Sequence, residues 1–191
     1  MDKIRAFIAI DINEETRRAI DDFMKKLRAL SLDAKWVKPE NIHITMKFLG
    51  NISIHDHDKL YKGINMIIKE TAVFRLSFEG AGCFPGPNNP RVLWVGVKGE
   101  LEPLRNLQGA IEDRLNEAGF PREDRGFAPH VTFGRLRSNK NAEGLKEILK
   151  NYADARFGED MVSSLNVYKS TLTPAGPNYN VLKEFKFGKI G

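Results

Sequence analysis

The strongest constraint on this chain is that its second half repeats the pattern of its first. Displacing the sequence by 87 residues, the separation of His43 from His130, lays Ile4 on Arg91, Phe7 on Trp94 and Ile10 on Val97. Phe78 and Pro85 then meet Val167 and Pro174 at an offset of 89, so the correspondence continues with a two-residue slip. A unit of about 87 residues is too long for a solenoid repeat and suits a duplicated α+β lobe. One domain over residues 1–191 is therefore expected, with two lobes related by a pseudo-twofold axis. The repeat boundary is placed near Asn88, in the Gly-, Pro- and Asn-rich segment 82–90.

Local patterns fill in the lobes. Residues 4–10, IRAFIAI, read as a buried strand. Asn13 is a candidate N-cap, followed by Glu14 and Glu15 and by Ile20, Phe23, Met24, Leu27 and Leu30 at helical spacing. A strand over 42–49 ending at Gly50, a helix over 56–69 and a strand over 73–78 follow. The order restarts with a strand over 91–97 and a helix from Leu101 that Gly119 would terminate. The predicted class is α+β: two pseudo-twofold-related lobes, each an antiparallel sheet with helices on its outer face, forming a central groove.

Both copies carry the same short pattern, HITM at residues 43–46 and HVTF at residues 130–133. Side chains two apart on a strand share a face, so His43 joins Thr45 and His130 joins Thr132, while Ile44, Met46, Val131 and Phe133 turn to a core. One His-x-Thr is ordinarily a hydrogen-bonded structural pair. Two equivalent pairs facing each other across an axis put two imidazoles and two hydroxyls around one small volume, which suits a phosphate. Near neutral pH one imidazole can act as base and the other as acid, with the hydroxyls donating to non-bridging oxygens. The scheme requires no metal and no cofactor.

The remaining composition narrows the classes. With 30 Lys and Arg against 25 Asp and Glu the chain is basic, which fits an anionic substrate. Cys83 is the single cysteine, excluding an internal disulfide and a Cys-based zinc site. His55 and His57 form an H-x-H pair, but the surrounding HDHD is better used to start a helix than to bind zinc. No phosphate-loop fingerprint is present, and no apolar run approaches the ~18 residues of a membrane span. A cytoplasmic location is expected. A monomer is expected too, because the duplicated site needs no second chain.

On these residues the sequence resembles the 2H phosphoesterase superfamily, and within it the bacterial and archaeal RNA 2′,3′-cyclic phosphodiesterases, historically called 2′-5′ RNA ligases. RAFIAIDI from Arg5, WVKPENIHITMKFLG from Trp36 and FAPHVTFGR from Phe127 are similar to the family's segments in their usual order. The resemblance implies hydrolysis of a 2′,3′-cyclic phosphate to a 2′-phosphate, with His43 as proton donor to the 3′ oxygen and His130 as proton acceptor from water. It further implies RNA with a cyclic phosphate or a 2′-5′ linkage as partner, reversible ATP-independent 2′-5′ joining where a cyclic phosphate meets a 5′-hydroxyl, and Arg135 near the phosphate. Read by itself, Arg135 is equally a solvated strand-end residue. Phe84, in the segment 82–90, is a candidate platform for stacking a base, or an anchor for its loop. Lys47 shares the His43 face by period two but reads as a snorkelling surface lysine. The alternative function is a non-catalytic module that binds a nucleotide or RNA end in the same groove.

Overall fold

The computed structural model describes residues 3–174 and 176–188. In chain order its elements are β1 (Lys3–Asp11), α1 (Glu14–Arg28), β2 (Ala34–Trp36), β3 (His43–Ser53), α2 (His57–Ile68), β4 (Phe74–Phe84), β5 (Val92–Gly99), α3 (Leu101–Glu117), β6 (His130–Leu136), α4 (Glu143–Asn151), β7 (Arg156–Val162), β8 (Ser164–Thr173) and β9 (Gly176–Lys186). The helix start at Asn13 is as expected: its side chain accepts from the Thr16 N–H at 2.8 Å, and Ile20, Phe23, Met24 and Leu27 are buried. Gly50 does not end its strand. At φ +67° it carries β3 on to Ser53. The four elements after residue 140 had no assignment from sequence.

All the strands join one curled antiparallel sheet in the order β7, β4, β5, β6, β3, β1, β8, β9, with β2 paired to β6. Counted outward from the centre, β3, β1, β8 and β9 correspond to β6, β5, β4 and β7. The two lobes meet where Ile44 of β3 pairs with Val131 of β6.

The lobes are not the consecutive halves of the chain. The β4–β5 connection, which contains Asn88, is a hairpin, and a hairpin pairs its own neighbours. This places β4, from the first half, between β5 and β7, whereas β8 and β9 from the second half extend the sheet beyond β1. Ser163 alone separates β7 from β8, so the sheet curls until strands from opposite lobes meet. The helices cross over as well. α1 follows β1 yet packs on β7, with Phe23 5.6 Å from Phe133 and 5.4 Å from Phe157. α3 follows β5 yet packs against α2 and β3. Both lobes share one apolar core. Among the described residues no helix is long and apolar enough to cross a membrane.

Candidate active site

The two central strands carry the four residues singled out from sequence. Ile44 and Val131 are fully buried, and the residues on either side of them turn to the opposite face, where His43, Thr45, His130 and Thr132 line a groove of about 470 Å³. Continuing the Ile44–Val131 register by one residue sets His43 abreast of Thr132 and Thr45 abreast of His130. Side chains so opposed have Cβ atoms about 5 Å apart. The expected convergence of the two pairs is what the sheet produces.

Both imidazoles are anchored by the same device. His43 Nδ1 lies 2.8 Å from the Asn41 carbonyl, and His130 Nδ1 lies 2.7 Å from the Ala128 carbonyl, in each case two residues upstream. A carbonyl only accepts, so each Nδ1 carries the hydrogen and each neutral ring keeps its lone pair on Nε2. His43 Nε2 is 3.1 Å from Thr45 Oγ1.

The surroundings of the rings differ. Phe7 stacks on His43 with centroids 4.9 Å apart, and Tyr179 meets the ring edge-on at 5.6 Å. Burial pushes the His43 pKa below the usual imidazole value, partly opposed by the bond to Asn41 and by Asp11 nearby. Asp11 is the register partner of His43 on β1 and accepts from the Tyr168 hydroxyl at 2.6 Å. His130 instead meets the edge of Phe84 at 5.3 Å. Phe84 belongs to β4 rather than to a loop, leans on Trp94, and is not among the residues lining the groove.

A β-bulge sets which way the residues after each His-x-Thr face. On β3 the partners of Ala9 and Ile8 are Thr45 and Lys47, skipping Met46. On β6 the partners of Trp94 and Leu93 are Thr132 and Gly134, skipping Phe133. A bulge adds a residue and reverses the alternation beyond it. Lys47 is therefore not a surface lysine. It is 1% exposed on the core side, donating at 2.7 Å to both Glu112 of α3 and the Pro121 carbonyl. The same inversion delivers Arg135, which strict period two would send into the core, to the groove, and it does likewise for Phe48.

Among the described residues, the groove wall holds the cations Arg5, Lys35, Lys38 and Arg135, and the carboxylates of Asp11 and Glu40 line the adjoining concavity on the far side of His43 and Lys38. Sequence reasoning missed Phe7, Tyr168 and Tyr179 around His43. The alignment of Phe7 with Trp94 at the repeat offset was an available signal for the first. Tyr168 and Tyr179 sit on β8 and β9, beyond the region where the repeat was traced to elements. Among the described residues no group of three or more His, Cys, Asp or Glu is placed to hold a metal ion. In the HDHD segment, Asp56 instead accepts from the Ser53 N–H at 2.9 Å and pairs with Lys59 at 2.8 Å.

Similarity to known proteins mirrors the duplication. The family model described as LigT like Phosphoesterase matches the chain twice, over residues 10–94 and 95–179. The RNA 2′,3′-cyclic phosphodiesterase of Aquifex aeolicus is 37% identical, over 98% of this chain and 100% of its own length. The enzyme of the same name from Archaeoglobus fulgidus is also 37% identical, over 96% of this chain and all of its own. A crystal structure from Thermus thermophilus superposes with a TM-score of 0.81 at 28% identity, covering 97% of this chain and 98% of that one. Escherichia coli LigT in its apo form shares the fold, with a TM-score of 0.77 at 22% identity over 99% and 100% of the two chains.

Proposed function

The chain belongs to the LigT-like phosphoesterase family, and on that premise we propose that it hydrolyses RNA 2′,3′-cyclic phosphodiester ends to 2′-phosphomonoesters. The observation that carries the reading is the repeated anchoring of Nδ1 to a backbone carbonyl, which leaves the Nε2 atoms of both histidines for chemistry in a groove that Thr45 and Thr132 also line. His130, neutral, takes a proton from water as the oxygen attacks phosphorus. The bond from phosphorus to the 3′ oxygen breaks, and His43 delivers its Nε2 proton to that oxygen, leaving a free 3′-hydroxyl.

The geometry gives reasons for this division. An imidazolium held in a partly buried site is a stronger acid than one in water, which suits donation to a departing alkoxide. Once Nε2 is protonated it no longer accepts from Thr45 Oγ1, 3.1 Å away, which frees the threonine hydrogen for a non-bridging oxygen. Thr132, on the same face of β6 as His130, offers a second hydroxyl to the phosphate, and the Arg135 guanidinium meets the anionic charge. With a ribose 5′-hydroxyl in place of water as the nucleophile, His130 would take its proton, His43 would again protonate the departing 3′ oxygen, and the same pair would join ends through a 2′-5′ linkage without ATP. Both pairs lie on one chain, so a monomer suffices.

Turnover of a 2′,3′-cyclic nucleotide tests the assignment. His43→Ala and His130→Ala are each expected to lose about 10³-fold in kcat, with unchanged circular dichroism and with wild-type activity undiminished by EDTA. Wild-type turnover in either variant would refute the paired roles. Tight binding of cyclic-ended RNA with no product would favour a binding module instead.

A further inference from the structure

The groove cations lack the carboxylate partners that several basic residues elsewhere on the molecule have. Arg28, Lys59, Arg114, Arg122 and Arg156 each have a carboxylate within 4.0 Å. Among the described residues, no ion pair or side-chain hydrogen bond engages Arg5, Lys35, Lys38 or Arg135. A cyclic phosphodiester carries a single negative charge, which Arg135 and the two threonines already meet. Lys35 and Lys38 supply positive charge beyond that requirement.

The two ends of the duplicated site are also unequal. Beside β6 lies β2, with Lys35 the register partner of Arg135. Lys38 follows Val37, whose N–H donates to the Phe133 carbonyl at 2.9 Å. The repeat counterparts of Lys35 and Lys38, at the offset of 87, are Arg122 and Arg125 beside β3. There Arg122 pairs with Asp113 at 2.5 Å, and the Glu123 carboxylate next to it accepts from the Phe48 N–H at 3.1 Å. One end of the groove thus carries two lysines with no ion pair among the described residues, while the other presents the half-exposed Phe48 ring. A symmetric catalytic centre has been given a direction.

We propose that Lys35 and Lys38 form a subsite for the phosphodiester adjacent to the cyclic end, so that the preferred substrate is an RNA of at least two nucleotides whose chain leaves the histidines past β2. The proposal rests on the cyclic phosphodiesterase reading above. Lysine suits the task, because a flexible point charge follows a mobile backbone phosphate without demanding a fixed geometry. Each such contact also releases counterion, making binding of the longer substrate salt-dependent.

Three substrates separate the contributions: a 2′,3′-cyclic mononucleotide, the corresponding cyclic-ended dinucleotide, and that dinucleotide with a neutral methylphosphonate linkage. Wild-type enzyme is expected to favour the charged dinucleotide over the mononucleotide by about tenfold in kcat/KM, and the methylphosphonate should erase the advantage. Lys35→Ala/Lys38→Ala should erase it too, lowering the salt slope for the dinucleotide by about one unit, while mononucleotide turnover and melting temperature stay at wild-type values. An advantage kept by the methylphosphonate would assign it to the base and overturn the subsite. Loss of the advantage in Arg5→Ala with Lys35→Ala/Lys38→Ala unaffected would overturn its position, and equal losses on mononucleotide and dinucleotide would overturn its separateness from the catalytic centre. If wild-type enzyme hydrolysed neither the cyclic mononucleotide nor either cyclic-ended dinucleotide, the catalytic reading itself would fail, an outcome distinct from any of these.

Discussion

His43 is asked to hold a proton where its surroundings disfavour one. In the free enzyme burial lowers its pKa, whereas an anionic phosphate in the groove stabilises the imidazolium. The alkaline limb of the rate profile reports loss of the donor's proton. It should therefore lie at lower pH in kcat/KM, which reads the free enzyme, than in kcat, which reads the complex. Coincident limbs would remove His43 from the donor role. The same shift has a stability sign. A histidine whose folded pKa is depressed binds fewer protons folded than unfolded, so stability rises with pH from the lowered value up to about 6.5 and is level above it. At this scale His43, Thr45, His130 and Thr132 were legible because two-residue alternation and the repeat offset are both written in the sequence. The Phe7 and Tyr179 contacts around His43 were not, since they depend on β8 bringing β9 alongside β1 in the folded sheet.

Among the elements, the bulge after each His-x-Thr reorganised the reading most. Alternation is a property of a regular strand, and nothing local to Thr45–Met46–Lys47 announces the inserted residue. Its consequence is a lysine placed under the sheet and matched by Glu112, whose side chain is 10% exposed. Lys47→Met would leave that carboxylate buried without its partner, costing about 3 kcal/mol by chemical denaturation. Lys47→Met/Glu112→Leu should regain most of the loss, because replacing both charges removes the orphan as well as the pair. A single variant as stable as wild type would show that water already reaches Glu112. The segment 82–90 misled for another reason. Gly82 looked like a turn residue, yet it lies within β4, where a Cβ would stand 2.3 Å from the Trp94 ring. That glycine answers a packing demand from β5, which composition alone does not distinguish from a loop.

At the scale of the whole molecule, the duplication was readable but the exchange of strands was not, since an offset aligns residues without saying which lobe each one completes. The topology makes a definite demand on folding. Residues 1–88 alone lack β5, the partner of β4, while residues 89–191 alone lack β1, on which β8 pairs. Neither fragment is expected to show a cooperative thermal transition, whereas the intact chain should melt once, as one unit. A cooperative transition in either fragment would show that the exchanged strands are dispensable. The exchange bears on symmetry as well. A single repeat unit would complete its sheet only by trading strands with an identical copy, which would place the catalytic centre on the symmetry axis of a homodimer. In such a homodimer the acid and the base would be one and the same residue of the sequence. A single chain lifts that constraint, and Phe48 and Arg135, equivalent positions at the repeat offset, differ as an aromatic end and a cationic end.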